Sequence, residues 1–227
     1  MLSGWKAREL FPEHSQWSLH LGVDVAEIIE DQIKDGIDFL LLDTAHVHPA
    51  ETLSFLSVLP YLKDDAVVVL HDVNLFTDPA PAHSKSYATK LLLDIVVADK
   101  VTLKDFKDGY IYPNIAAFQI NEDTRKYISD VFRSLFFPWG MEVSERVLQA
   151  TEKIFQEKYP AELHTLYLKS IKQNQNLYRL TVTFKQRFAA VKKELRAMCV
   201  MCLPHSWVLF LKRVRKLLRG NRRVTTH

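Results

Sequence analysis

Glycine is scarce in this chain: the six in 227 residues stand singly at Gly4, Gly22, Gly36, Gly109, Gly140 and Gly220. No stretch therefore forms a glycine-rich turn of the kind that lets a backbone approach a bound nucleotide. Cysteine is scarcer still. Cys199 and Cys202 share one apolar helical stretch with no second ligand pair nearby, which argues against a disulfide framework or a closed zinc site and leaves them as small buried hydrophobes. Long apolar runs are also absent. No segment reaches the roughly eighteen residues that a spanning helix needs, and the N-terminal MLSGWKARELFPEH carries charges where a secretory signal has its apolar segment. A cytoplasmic protein is the expectation.

With 48% hydrophobic and 25% charged residues, the chain has an ordinary globular composition and enough length for one substantial core. Its net charge of +3 conceals a division. Residues 178–227 hold 13 Lys/Arg and one acid, Glu194, for +12, whereas residues 1–177 hold 17 basic and 26 acidic residues, for −9. Such a division implies an acidic body with a basic tail that meets a polyanion or a membrane surface.

The most informative stretch is Ile37 to Asp72. Two short apolar runs, Phe39–Leu42 and Ala66–Leu70, each end in a polar cluster: Asp43 with His46 and His48, then His71 with Asp72. Runs of this length suit parallel strands buried on both faces. Between them, Leu53, Leu56, Leu59 and Leu62 repeat at helical spacing until Pro60 ends the last turn. The unit reads as βαβ. Ligands of open α/β sheets bind beyond the carboxyl ends of the strands, where both polar clusters fall.

Upstream, Trp17–Leu21 is expected as a short strand, followed by a helix through Val25, Ile28, Ile29 and Ile33 that stops at Gly36. Residues 17–72 then read β-α-β-α-β. Downstream come a polar loop from Asn74 to Ser86, a helix from Tyr87 to Val97, a charged turn-rich segment from Lys100 to Gly109, a strand over Asn114–Ile120 and a helix over Arg125–Phe137. The α/β domain is expected to span 1–140, with a helical extension over 141–203 and a basic amphipathic tail helix in 204–227. The extension has helical patterns at Val143–Tyr159, Ala161–Asn174 and Leu177–Leu203, and the tail at His205–Arg219.

IDFLLLDTAHVHP, a helix and then LPYLKDDAVVVLHD resemble the later strands of class I S-adenosylmethionine-dependent methyltransferases. The branch concerned has one strand ending in Asp-x-x-His and a later one ending in His-Asp. SYATKLLLDIVVADK and PNIAAFQI resemble the continuation in bacterial members placed with cell-surface polysaccharide genes, and the similarity spans residues 15–140. It implies an α/β, partial Rossmann-like (methyltransferase-type), mostly parallel sheet, and O-methylation of a sugar or polysaccharide precursor. WSLHLGVD then corresponds to the third strand and its turn, which sets Gly22, Val23 and Asp24 near the cofactor adenine. Asp43, His71 and Asp72 fall where metal-dependent relatives hold a divalent cation, such as Mg2+, beside the acceptor hydroxyl. Such a cation lowers the hydroxyl's pKa and orients it toward the methyl sulfonium. His46 or His71 is the alternative base, because imidazole titrates near neutral pH, so the implied catalytic set is Asp43, His46, His71 and Asp72.

Two departures qualify the likeness. His71 stands where several metal-binding relatives carry an acid or amide. The family's glycine turn and ribose-binding acid belong to its first two strands, yet sixteen residues precede the presumed third strand here. The chain is accordingly expected to keep the acceptor side of the fold and to bind S-adenosylmethionine poorly or not at all, which leaves three alternatives open: a truncated reading frame, a degenerate relative inactive alone, or one part of a split enzyme completed by a partner chain or a second copy.

Plainer roles compete at each position. Asp43 suits a helix cap, His46 and His48 suit loop hydrogen bonding, and His20, Trp5, Trp17 and Trp139 suit packing. Two other function classes stay open. A metal-dependent hydrolase would use Asp43, His46, His48, His71 and Asp72, a mixed His/Asp set that suits zinc but matches no zinc motif in spacing. A non-enzymatic reading has residues 204–227 dock on an anionic membrane at its inner face, or on a partner protein. Near such a surface each Lys or Arg contributes on the order of 1 kcal/mol, and Trp207, Phe210, Leu211, Val214 and Leu218 add apolar burial. Nucleic acid is not an expected partner, since no reading motif accompanies the charge.

Overall fold

Short apolar segments pair into a sheet whose β2 and β4 side chains alternate between a buried and an open face. The computed structural model describes residues 18–77, 86–102, 114–177 and 188. Its elements are α1 (Val25–Gln32), β1 (Ile37–Leu42), α2 (Ala50–Val58), β2 (Leu62–His71), α3 (Ala88–Ile95), β3 (Lys100–Thr102), β4 (Ile115–Gln119), α4 (Glu122–Lys126), α5 (Ile128–Ser134) and α6 (Glu145–Lys158). Residues 161–177 form a further helix, α7. A short 3-10 turn at Leu59–Tyr61 ends α2, as Pro60 requires.

The strand order is β1-β2-β4-β3. β1 and β2 are parallel and joined through α2, which is the βαβ unit read from the sequence. β4 runs antiparallel to both β2 and β3. The fold is thus α/β, but with one parallel and two antiparallel pairings in place of a mostly parallel sheet.

Local chemistry sets the helix ends. Asp24 accepts from the Ala26 N–H at 3.0 Å while the Glu27 carboxylate accepts from the Asp24 N–H at 2.8 Å, a reciprocal capping box at the start of α1. Asn121 and Thr124 do the same for α4. Gly36, at φ +82°, closes the turn into β1; a Cβ there would lie 2.9 Å from Lys63 Cγ, so both the backbone angle and the space call for glycine.

The core lies on one side of the sheet. Ala66, Val68 and Leu70 of β2 and Ala116 and Phe118 of β4 are buried there, with the Phe55 ring of α2 edge-on to Phe118 at 5.8 Å. The alternate residues face outward: Phe39 is 59% and Leu41 57% exposed, and Val67 and Ile115 are also exposed. Strands covered on both faces were the expectation; among the described residues the second face is open. Of the strand expected over Trp17–Leu21, residues 18–21 are irregular, and among the described residues β1 pairs with β2 alone. β3 replaces part of the segment read as a turn, and the helix read over 125–137 is broken at Tyr127 into α4 and α5.

Helices α6 and α7 contribute to the same core as the sheet. Ile154, Phe155 and Tyr167 are buried in the same core, and Phe155 packs edge-on against Phe132 at 5.0 Å and Tyr167 at 4.8 Å. The Tyr159 hydroxyl donates to the Leu56 carbonyl at 2.6 Å. The chain divides after Asn174 into two units, Met1–Asn174 and Gln175–His227. The amphipathic helices expected at 177–203 and 205–219 lie outside the described residues, apart from 177 and 188, both helical. Among the described residues no helix is long and apolar enough to cross a membrane.

Candidate metal centre

Parallel register brings the two polar clusters together. Phe39 pairs with Val67 and Leu41 with Val69, so the next step along each strand sets Asp43 beside His71 on the open face. Asp72 and His46 follow by a different device. Both have positive φ, +59° and +55°, a left-handed conformation that a non-glycine residue adopts at some cost and that often marks a functional site. The turn at Asp72 takes the chain out of β2's alternation, and the turn at His46 folds the loop after β1 back toward it.

Four side chains converge as a result. His46 Nε2 lies 3.1 Å from Asp72 Oδ2 and 3.3 Å from Asp43 Oδ1. His71 Nδ1 lies 3.4 Å from Asp72 Oδ1 and 3.5 Å from Asp43 Oδ1. One ligand atom from each of Asp43, His46, His71 and Asp72 falls within 4.8 Å of the other three. Asp43, the most exposed of the four, opens onto a cleft of about 610 Å³ that is also lined by Val23, Asp24, Thr44 and Met141.

A divalent cation fits this donor set. Two carboxylates and two imidazoles make a mixed oxygen and nitrogen shell suited to first-row divalent ions. His71 Nδ1 is buried and makes no well-directed hydrogen bond, so a ligand-capable atom is left over at the centre of the group.

S-adenosylmethionine fits less well on the residues singled out for it. The Asp24 carboxylate and N–H are both engaged in the α1 cap. The Gly22 carbonyl accepts from Arg146 Nη2 at 3.1 Å. Val23 offers an exposed apolar side chain. No step is routed through this cofactor on the present chain.

Three neighbours of the cluster were not apparent in the sequence. Asn114, just before β4, donates from Nδ2 to Asp72 Oδ1, and its own Oδ1 accepts from the Asn74 N–H at 3.4 Å. Glu51, in the first turn of α2, is fully buried, with Oε1 3.3 Å from His46 Nδ1. Thr89 of α3 donates to the same Glu51 oxygen at 3.3 Å and lies 3.3 Å from His46 Nδ1. An acid in the first turn of a helix reads as a dipole partner, so Glu51 gives no sequence signal beyond that.

His48 takes no part in the group. It is fully buried, its carbonyl accepts from the Gly140 N–H at 2.8 Å, and burial pushes its imidazole pKa down from 6.5 to about 4. The nearby Ser134 backbone pulls more weakly the other way. The five-residue hydrolase set therefore reduces to four. In comparisons with family models, curated proteins and solved structures, the chain matches none.

Proposed function

We propose that this chain is the acceptor-side portion of a methyltransferase-type domain, in which Asp43, His46, His71 and Asp72 hold a divalent cation beside a sugar-type hydroxyl. The observation that carries the reading is the convergence of the four ligand atoms within 4.8 Å at the carboxyl ends of two parallel strands, the place where α/β sheets bind ligands. A second supports it. β1 has the composition of an interior strand, yet among the described residues it lies at the end of the strand order, with Phe39 and Leu41 exposed. Natural edge strands are seldom left so apolar, and a further strand and covering helices from another polypeptide would bury both.

When bound, the cation supplies charge that favours the ionised form of an acceptor hydroxyl. The chain's own residues do the rest. Asp43 stands at the mouth of the cleft, able to hold an approaching hydroxyl by hydrogen bonding. His46 and His71 provide imidazole nitrogens within reach of the same point. Asn114 keeps Asp72 turned inward.

Calorimetric titration of the full chain with Mg2+, Mn2+, Co2+ and Zn2+ tests the site. The expected result is one ion per chain, lost in Asp43→Asn and Asp72→Asn; absence of binding for all four ions overturns the reading. Titration with S-adenosylmethionine is expected to show weak binding or none, and tight binding contradicts the acceptor-side assignment.

A further inference from the structure

Glu51 is an unusual residue to bury. Its Oε2 has neither solvent nor a hydrogen-bond partner, and its Oε1 meets only the Thr89 hydroxyl and His46 Nδ1. A carboxylate taken out of water is expensive unless something nearby needs it. The His46 ring shows the need. Its Nε2 faces two carboxylate oxygens, Asp72 Oδ2 at 3.1 Å and Asp43 Oδ1 at 3.3 Å, while Nδ1 faces Glu51 and Thr89 at 3.3 Å. If Nδ1 carries the ring's hydrogen and donates to the Thr89 hydroxyl, which itself donates to Glu51 Oε1, Nε2 presents a lone pair to the centre of the Asp43, His71 and Asp72 group. That tautomer is the one able to ligate a cation.

Resting on the cation reading above, we infer that Glu51 is a positioning residue that fixes the His46 tautomer and ring orientation by orienting the Thr89 hydroxyl, whose oxygen faces His46 Nδ1 and whose hydrogen goes to Glu51 Oε1. Carboxylate–histidine–metal arrangements of this kind commonly change metal affinity by about 10- to 100-fold when the outer acid is removed. The three residues come from separate elements: the loop after β1, α2 and α3. Sequence spacing therefore conceals the arrangement.

The test uses Co2+ as probe, with the full chain, read by calorimetry and by the visible absorption of the bound ion. Glu51→Met is close in shape, lacks an acceptor and is expected to fold, as far-UV circular dichroism will show. It should bind Co2+ about 10- to 100-fold more weakly with an altered spectrum. Glu51→Gln, which retains an acceptor oxygen for the Thr89 hydroxyl, should recover part of that loss. In a His46→Ala background, Glu51→Met should cost nothing further, because Glu51 acts through His46.

Unchanged affinity and spectrum in Glu51→Met overturn the assignment while leaving the cation site intact, as do losses that simply add in the double variant. A wild-type chain that takes up no Co2+ overturns the cation reading and this inference together.

Discussion

Acidification should destabilise the protein through His48. The imidazole is fully buried and titrates at about 4 in the folded chain, against 6.5 when unfolded. Between those values the unfolded chain holds a proton that the folded chain does not. Stability is therefore complete above pH 6.5, declines as the pH falls through the window and levels off below about pH 4. A difference of this size is worth about 3 kcal/mol across the whole window, of which roughly 2.5 kcal/mol is gone by pH 4.5. The comparison that isolates it is wild type against His48→Leu, which has no proton to take up. Urea unfolding is followed by circular dichroism at pH 7.5, 6.5, 5.5 and 4.5, with chelator present throughout. At pH 7.5 the two should differ by less than about 1.5 kcal/mol, and the variant should gain on the wild type as the pH falls. A stability difference that stays constant from pH 7.5 to 4.5 refutes the argument that His48 is held neutral by burial.

Asn114→Ala removes the amide that donates to Asp72; Mn2+ affinity should fall by about 10-fold, measured by calorimetry. Phe155→Ala should cost about 3–5 kcal/mol in denaturant unfolding, since the ring is fully buried among Phe132, Tyr159 and Tyr167. Phe39→Ala, on the open sheet face, should change stability by no more than about 0.5 kcal/mol in the same assay. Deletion of residues 204–227, with their basic and apolar pattern, should abolish flotation with anionic vesicles; undiminished flotation removes the membrane role proposed for that segment.

Period and punctuation made the central unit legible. Val67–Leu70 with Leu53 and Leu56 identify β2 and α2 because a strand and a helix that bury apolar side chains must repeat at their own spacings. The same logic placed Asp43 beside His71, since parallel strands end together. It failed where long-range contacts decide. β3 is three residues whose side chains are all exposed, Lys100, Val101 and Thr102, and it exists because β4 offers a partner edge. Helices α6 and α7 read as an appendage because their apolar stripes say that they pack, not on what. Asn114 stands apart from the cluster in sequence and reaches it only through the arrival of β4, whereas Glu51, five residues after His46, is buried toward it by the packing of α2.

The site itself argues for an occupant of positive charge. Asp43 and Asp72 bring ligand oxygens to within 4.8 Å of each other, a spacing at which two carboxylate charges repel. Two residues of the cluster, His46 and Asp72, also take left-handed backbone angles, at about 1–2 kcal/mol each. A buried third acid, Glu51, leans on the same imidazole. None of these features is needed to fold β1 against β2, whose pairing and burial are complete by Leu42 and Leu70. Asp65, inside β2, has a positive φ as well, so what sets the strand end apart is the gathering of two carboxylates and two imidazoles there, the kind of cost that a binding site leaves in a folded chain. A divalent ion at the meeting point of the four ligands offsets the repulsion and gives the His46 lone pair a partner. If Asp43→Asn and Asp72→Asn each raise the melting temperature in chelator and each abolish ion binding, stability and function are opposed at this point of the fold. Variants that lower the melting temperature in chelator would instead make the two carboxylates structural, held by the imidazoles alone.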